Sequence, residues 1–106
     1  MTNWINKIVG HAEVPPDQLL ANPNNWRIHP MYQQKALQGV INDIGYIKSV
    51  TVNKNSGMVI DGHLRVTLAL RDNIPTIPVE YVDLTEAEEA EALITLDPIA
   101  ALAGSD

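Results

Sequence analysis

The chain has 106 residues, no cysteine and a formal net charge of -6, with 45% apolar residues. That length suits one small domain with one core, spanning 1–106, and the missing cysteine excludes disulfides, thiolate metal sites and thiol nucleophiles. No run approaches the ~18 apolar residues of a membrane span, and Asn3, Asn6 and Lys7 interrupt what a secretory signal would need, so a cytoplasmic protein without a membrane partner is expected.

Lys7 to Val14 reads as a strand ended by Pro15-Pro16, and Asp17 to Leu20 suits one short helical turn. The following ANPNNWRIHP is rich in Asn and Pro, as an ordered loop is. From Met31 to Ile44 the apolar Ala36, Leu37, Val40, Ile41 and Ile44 recur at helical spacing, with Pro30 suited to the first position and Gly45 to the C-terminal cap, which predicts an amphipathic helix.

Ser49 to Asn53 alternates Val and Thr with polar neighbours, Asn55-Ser56-Gly57 makes a turn, and Met58 to Ile60 resumes an extended run, together a β-hairpin. Residues 63–72 form a mostly apolar helix closed by Asn73 and Ile74-Pro75. Thr76 to Val82 is a further strand. Thr85 and Glu88 make a capping-box pair for the next helix, whose acids crowd its favourable end. Asp97-Pro98 stops that helix and starts another short one. The order strand, helix, hairpin, helix, strand, helix gives a compact α+β domain. The apolar IAALAGSD at the end is consistent with a module excised from a longer protein.

The stretch VIDGHLRV carries the main chemical signal. A strand ends at Ile60, Gly62 lets backbone approach a ligand, and His63 and Arg65 fall on the first helical turn. Free N–H groups there, with a guanidinium able to hold two oxygens, make an anion cradle. Phosphate is the natural anion. A bland account uses the same residues: Gly62 serves the turn, Asp61 caps the helix, and Arg65 pairs with Asp61 or a tail acid. Spacing alone favours the bland account, because one glycine with nearby bases is a weak motif.

The loop ANPNNWRIHP adds Asn25, Arg27 and His29, whose amide, guanidinium and imidazole suit a base, sugar or phosphate ligand, or simply an ordered loop anchored by Trp26. His11, His29 and His63 lack paired metal-ligand spacing, which argues against zinc. Asp61 could help hold a Mg²⁺ that also touches phosphates, since Mg²⁺ needs only one or two carboxylates; otherwise it caps. Residues 1–79 carry seven Lys/Arg against five Asp/Glu, while 80–106 carry eight acids and no base. A chain so charged is a poor non-specific DNA binder, so DNA would be reached through a fused or partner domain.

In order, VPPDQLLANPNNWRIHP, LQGVINDIGYIKSVTVNK and MVIDGHLRVTLALRDNIPTIPVEYVDLTEAEEAEAL resemble the ParB N-terminal-like domain of the ParB/sulfiredoxin superfamily over about residues 7–100. The NWRxHP loop and DGHxR turn look like its phage and mobile-element subgroup, often fused to or encoded beside DNA methyltransferases. The resemblance implies a small mixed sheet with helices packed around it and a phosphate-binding strand-turn-helix. It implies that Gly62, His63, Leu64 and Arg65 hold nucleotide phosphates, CTP or ATP, with Mg²⁺ as cofactor; Arg27 of the NWR loop would close over them, and Asn25 would position that loop or contact the ligand. Partners would be the nucleotide, DNA and a second copy of the chain in a homodimer.

His63 stands where sulfiredoxins carry Cys and partition proteins carry Glu, so reductase activity is excluded and an acid is missing for CTP hydrolysis. Leu64 replaces a basic or polar residue. Three functions follow as expectations: a nucleotide-binding domain with Mg²⁺-dependent hydrolysis, as in chromosome or plasmid partition; a metal-dependent nuclease with His63 as catalytic base or phosphate ligand; and a non-catalytic DNA-recognition module of a methyltransferase.

Overall fold

The structure is a computed structural model and describes residues 3–19 and 31–96. Within them, β1 (Ile8–Val14) leads through a 3-10 turn at Pro16–Gln18; α1 (Met31–Ile44) is followed by the hairpin β2 (Val50–Asn53) and β3 (Val59–Asp61). Then come α2 (His63–Arg71), β4 (Ile77–Val82) and α3 (Glu86–Leu96). The element order matches the expectation. The further helix expected after Asp97-Pro98 lies outside the described residues.

The strands form one mixed sheet in the order β1-β4-β2-β3. β1 runs antiparallel to β4, β4 parallel to β2, and β2 antiparallel to β3. Two-residue alternation decides which side chains enter the core: Val50 and Val52 of β2 and Ile77 and Val79 of β4 are buried. They pack with Val59, Val66 and Ala69, while Val14, Leu19, Ile74 and Tyr81 close the margin. Pro78 lies one residue before Val79, the residue paired with Val50 at the start of β2, so its missing N–H removes no bond from the parallel ladder.

Local signals held where the chemistry is local. Gly45 takes φ +88° and donates its N–H to the Ile41 carbonyl at 2.8 Å, ending α1. The capping box forms, with Thr85 N–H donating to Glu88 Oε1 at 2.9 Å and Glu88 N–H to Thr85 Oγ1 at 3.2 Å. That Thr85 N–H holds the Glu88 carboxyl below its ordinary pKa.

Helix α1 forms over the expected residues, but its apolar positions are unevenly buried. Leu37 and Ile41 are half-buried, but Ala36, Val40 and Ile44 are exposed. Hydrogen bonds tie it to the end of α2. Arg71 donates to Gln38 Oε1 at 2.8 Å and Gln34 Oε1 at 3.4 Å, and Gln38 Nε2 donates to Asp72 at 2.7 Å. Periodicity reports that a helix has an apolar face, and cannot report which way that face turns.

At the far end of β2 a polar knot ties three segments together. Asn53 is 1% exposed. Its Nδ2 donates to the Leu84 carbonyl and to Glu89 Oε1, each at 3.1 Å, and its Oδ1 accepts from the N–H groups of Leu84 at 3.1 Å and Asn55 at 3.3 Å. Ser56 Oγ donates to the same Glu89 oxygen, and Asn55 Nδ2 reaches Asp83 at 2.7 Å. Hairpin turn, β4 exit and α3 are thereby fixed to one buried amide.

Asn53→Ala strands several of these groups at once and should cost about 3 kcal/mol, read as a lower midpoint in chemical denaturation at unchanged slope. For Glu88, a depressed carboxyl stabilises the fold at neutral pH and loses that contribution as pH falls through its folded value. Glu88→Gln should therefore reduce the drop in melting temperature between pH 7 and pH 3, measured at fixed ionic strength.

Candidate functional site

The site grows from the junction of β3 and α2. β3 ends at Asp61, and helix begins at His63 with only Gly62 between. So abrupt a turn needs left-handed backbone, and Gly62 supplies it at φ 103°, ψ 23°. No side chain caps α2; its first intrahelical bond is Val66 N–H to the Gly62 carbonyl at 3.1 Å. The backbone N–H groups of the first turn point out of the helix end, where the macrodipole favours an anion.

Arg65 is the unusual member. Its Nε and Nη2 are buried, and neither has a hydrogen-bond partner among the described residues. The guanidinium folds back over the turn: a Cβ on Gly62 would lie 2.9 Å from Arg65 Nη2 and 3.1 Å from Val50 Cγ2. Glycine is thus required twice, for its torsion and for the room it leaves the arginine. Arg65 also lines a small cavity of about 40 Å³ with Gln38, Asn42, Tyr46, Leu68 and Asp72. Tyr46 has its phenol pKa raised, first by burial and then by the charge of Glu13.

The bland account of this stretch fails at two points. Arg65 pairs neither with Asp61 nor with an acid of the described tail. Asp61 does not cap α2; its carboxylate takes Lys48 Nζ at 2.9 Å, with the Asp61 side chain 15% exposed. The reason lies in the register. Thr51 stands opposite Asp61 across the hairpin, so Asp61 belongs to the sheet and lies near the entry to β2, where Lys48 stands.

The other expected site residues separate. His63 is half-buried, and its carbonyl accepts from Thr67 Oγ1 at 3.0 Å. Leu64 is 8% exposed and belongs to the interior, so its backbone N–H is what it can offer a ligand. Asn25 and Arg27 lie outside the described residues. Among the described residues, no group of three or more His, Cys, Asp or Glu is placed to share a metal ion, and no helix is long and apolar enough to cross a membrane. Lys48, Asn42 and Tyr46 were not foreseen; their only sequence signal is position, Asn42 in the last turn of α1 and Tyr46 and Lys48 on the segment entering β2, beside the hairpin that carries Asp61.

No protein-family model matches the sequence, and neither does any curated protein. Solved structures do match. The chromosome-partitioning protein ParB from Caulobacter crescentus, C-terminally truncated and complexed with CTP-γ-S, superposes with a TM-score of 0.68 at 23% identity, over 81% of this chain and 51% of that one. The chain has the ParB/sulfiredoxin fold. Sulfiredoxin from Arabidopsis thaliana matches with a TM-score of 0.66 at 20% identity, over 80% of this chain and 98% of that one. A pNOB8-like ParB N-domain matches with a TM-score of 0.68 at 13% identity, over 87% of this chain and 37% of its own. The chain therefore spans about half or less of the partition proteins it resembles and nearly the whole of the sulfiredoxin.

A guanidinium with two buried nitrogens that find no partner among the described residues costs stability that an apolar side chain would not. Arg65→Met should raise the melting temperature of the ligand-free protein by several degrees. Gly62→Ala should lower it, since strain at positive φ adds to the clash with Arg65. Differential scanning calorimetry of the two variants checks both signs.

Proposed function

We propose that this domain binds the phosphates of a nucleoside triphosphate at the N-terminus of α2, and serves a DNA-related process through a fused or partner domain. The observation that carries the reading is Arg65, with two buried donors lacking partners among the described residues, folded onto a glycine that heads a helix. A buried polar group left unsatisfied calls for an explanation, and an anion at the turn supplies one. Arg65 would hold phosphate oxygens through its donors, and the backbone N–H groups of His63, Leu64 and Arg65 would complete the cradle. The His63 imidazole would stand at its rim. Arg27 and Asn25 would close the loop over the ligand.

The nucleotide part is supported by the fold, which is shared with a partition protein whose crystal structure holds a CTP analogue. A small cavity beside Arg65, lined also by Asn42 and Tyr46, lies between α1 and α2. For Mg²⁺, Asp61 offers one carboxylate, already neutralised by Lys48 at 2.9 Å. The residues fit the metal poorly, and no step of binding passes through it. With phosphate charge met by Arg65 and amides, binding is better supported than hydrolysis, and His63 as a catalytic base stands as the weaker proposal. A place beside a DNA methyltransferase in a phage or mobile element is the biological setting this reading favours, in keeping with a chain whose net charge of -6 makes it a poor DNA binder alone.

The test is a thermal-shift series with millimolar CTP, ATP and GTP, each with and without Mg²⁺. A bound nucleotide should raise the melting temperature by mass action, and Arg65→Met, though more stable when empty, should lose the rise. Indifference of the unmodified protein to all three nucleotides would refute the reading.

A further inference from the structure

Asp61 is a carboxylate in an awkward place for an anion site. It stands one residue before Gly62 and two before His63, so its Cα is at most ~7.6 Å, two Cα steps, from the residue that opens α2. That is no more than the screening length of physiological salt, about 8 Å. Left bare, its charge would oppose the phosphate that Arg65 and the first-turn amides attract. A carboxylate so placed can be neutralised by a divalent ion shared with the phosphates, or by a cation of the chain itself. Here the chain supplies the cation. Lys48 Nζ lies 2.9 Å from Asp61 Oδ2, and the Asp61 side chain is largely withdrawn from water. The sheet sets up this meeting, since Asp61 pairs with Thr51 and Lys48 stands just before β2. Val50, between Lys48 and Thr51, would lie 3.1 Å from a Cβ on Gly62, so the segment that carries Lys48 runs beside the turn.

We infer that Lys48 belongs to the phosphate site as a built-in cation that occupies Asp61 in place of Mg²⁺, and that the domain takes its nucleotide as the metal-free anion. This role rests on the phosphate reading of the turn and adds to it the ionic form of the ligand. The Lys48 ammonium is a compact point charge on a flexible stem. Held on Asp61, it cancels the carboxylate and leaves Arg65 and the helix end unopposed. Among the described residues, no group of three or more His, Cys, Asp or Glu is placed to share a metal ion. Mg²⁺ carried in by the nucleotide would lower the ligand's charge without gaining an uncommitted carboxylate.

The test is calorimetric titration of the whole chain with CTP, ATP and GTP, each in EDTA and in excess Mg²⁺. The unmodified protein should bind at least as tightly in EDTA as in Mg²⁺. Lys48→Met keeps an apolar stem and bares Asp61, and should weaken binding in EDTA roughly threefold to tenfold. Mg²⁺ should recover this variant, because one free carboxylate and the ligand's phosphates can hold the ion. Adding Asp61→Asn should restore binding in EDTA and abolish the gain from Mg²⁺, a pattern that damage to the fold does not produce. Binding by the unmodified protein that requires Mg²⁺ overturns the inference alone. So does a Lys48→Met variant of unchanged affinity in EDTA, or a double variant that stays weak. Silence toward all three nucleotides in both conditions overturns it together with the phosphate reading.

Discussion

The parallel pairing of β2 with β4 is the constraint on which the rest depends. Parallel strands cannot be joined by a tight turn, so the chain must leave β2 and re-enter the sheet at the same end. β3 brings it back antiparallel along the edge, and Val50 faces Val79 at the start of the parallel ladder. What remains is a sideways step from the β3 edge to β4, two strand spacings or about 10 Å. Nine residues of helix span about 13 Å, and α2 makes that step with Leu64, Val66, Leu68 and Ala69 buried. The connection is short, and α2 starts one residue after β3 ends. The sharp reversal at Gly62 serves this topology, and the phosphate candidate is the helix end that the reversal exposes.

The same economy explains why two Arg65 nitrogens lack a partner among the described residues. A helix emerging directly from a strand has its first turn pressed against the sheet, here against Val50. Room exists for a guanidinium only because Gly62 has no side chain. The acids that could have met it are taken elsewhere: Asp61 by Lys48 and Asp72 by Gln38 and Arg71.

Much of the fold was legible because its determinants are short-range. The hairpin could be read from Asn55-Ser56-Gly57, the end of α1 from Gly45 and the start of α3 from Thr85 and Glu88. The strand β2 followed from alternating Val and Thr. What escaped depends on tertiary placement. The register that sets Asp61 against Thr51 and near Lys48 cannot be read from DGHLR. Nor can the burial of Asn53, whose amide is satisfied by residues 31 and 36 positions away. The site was legible as a composition, glycine followed by histidine and arginine, but not as an unmet need. Whether Arg65 is paired is decided by groups distant in sequence.

The Asn53 knot also sorts charge in space. It anchors Leu84 and Glu89, and with them the acid-rich first turns of α3, at the exit of β2, whereas Gly62 lies against Val50 at its entry. Three residues of strand separate the two ends, about 10 Å, which is close to the screening length of physiological salt. Glu86, Glu88 and Glu89 are thus moored where ions in solution partly screen them from the turn. A protein negative overall can in this way keep one end receptive to anions, and its discrimination against them should sharpen as salt is withdrawn.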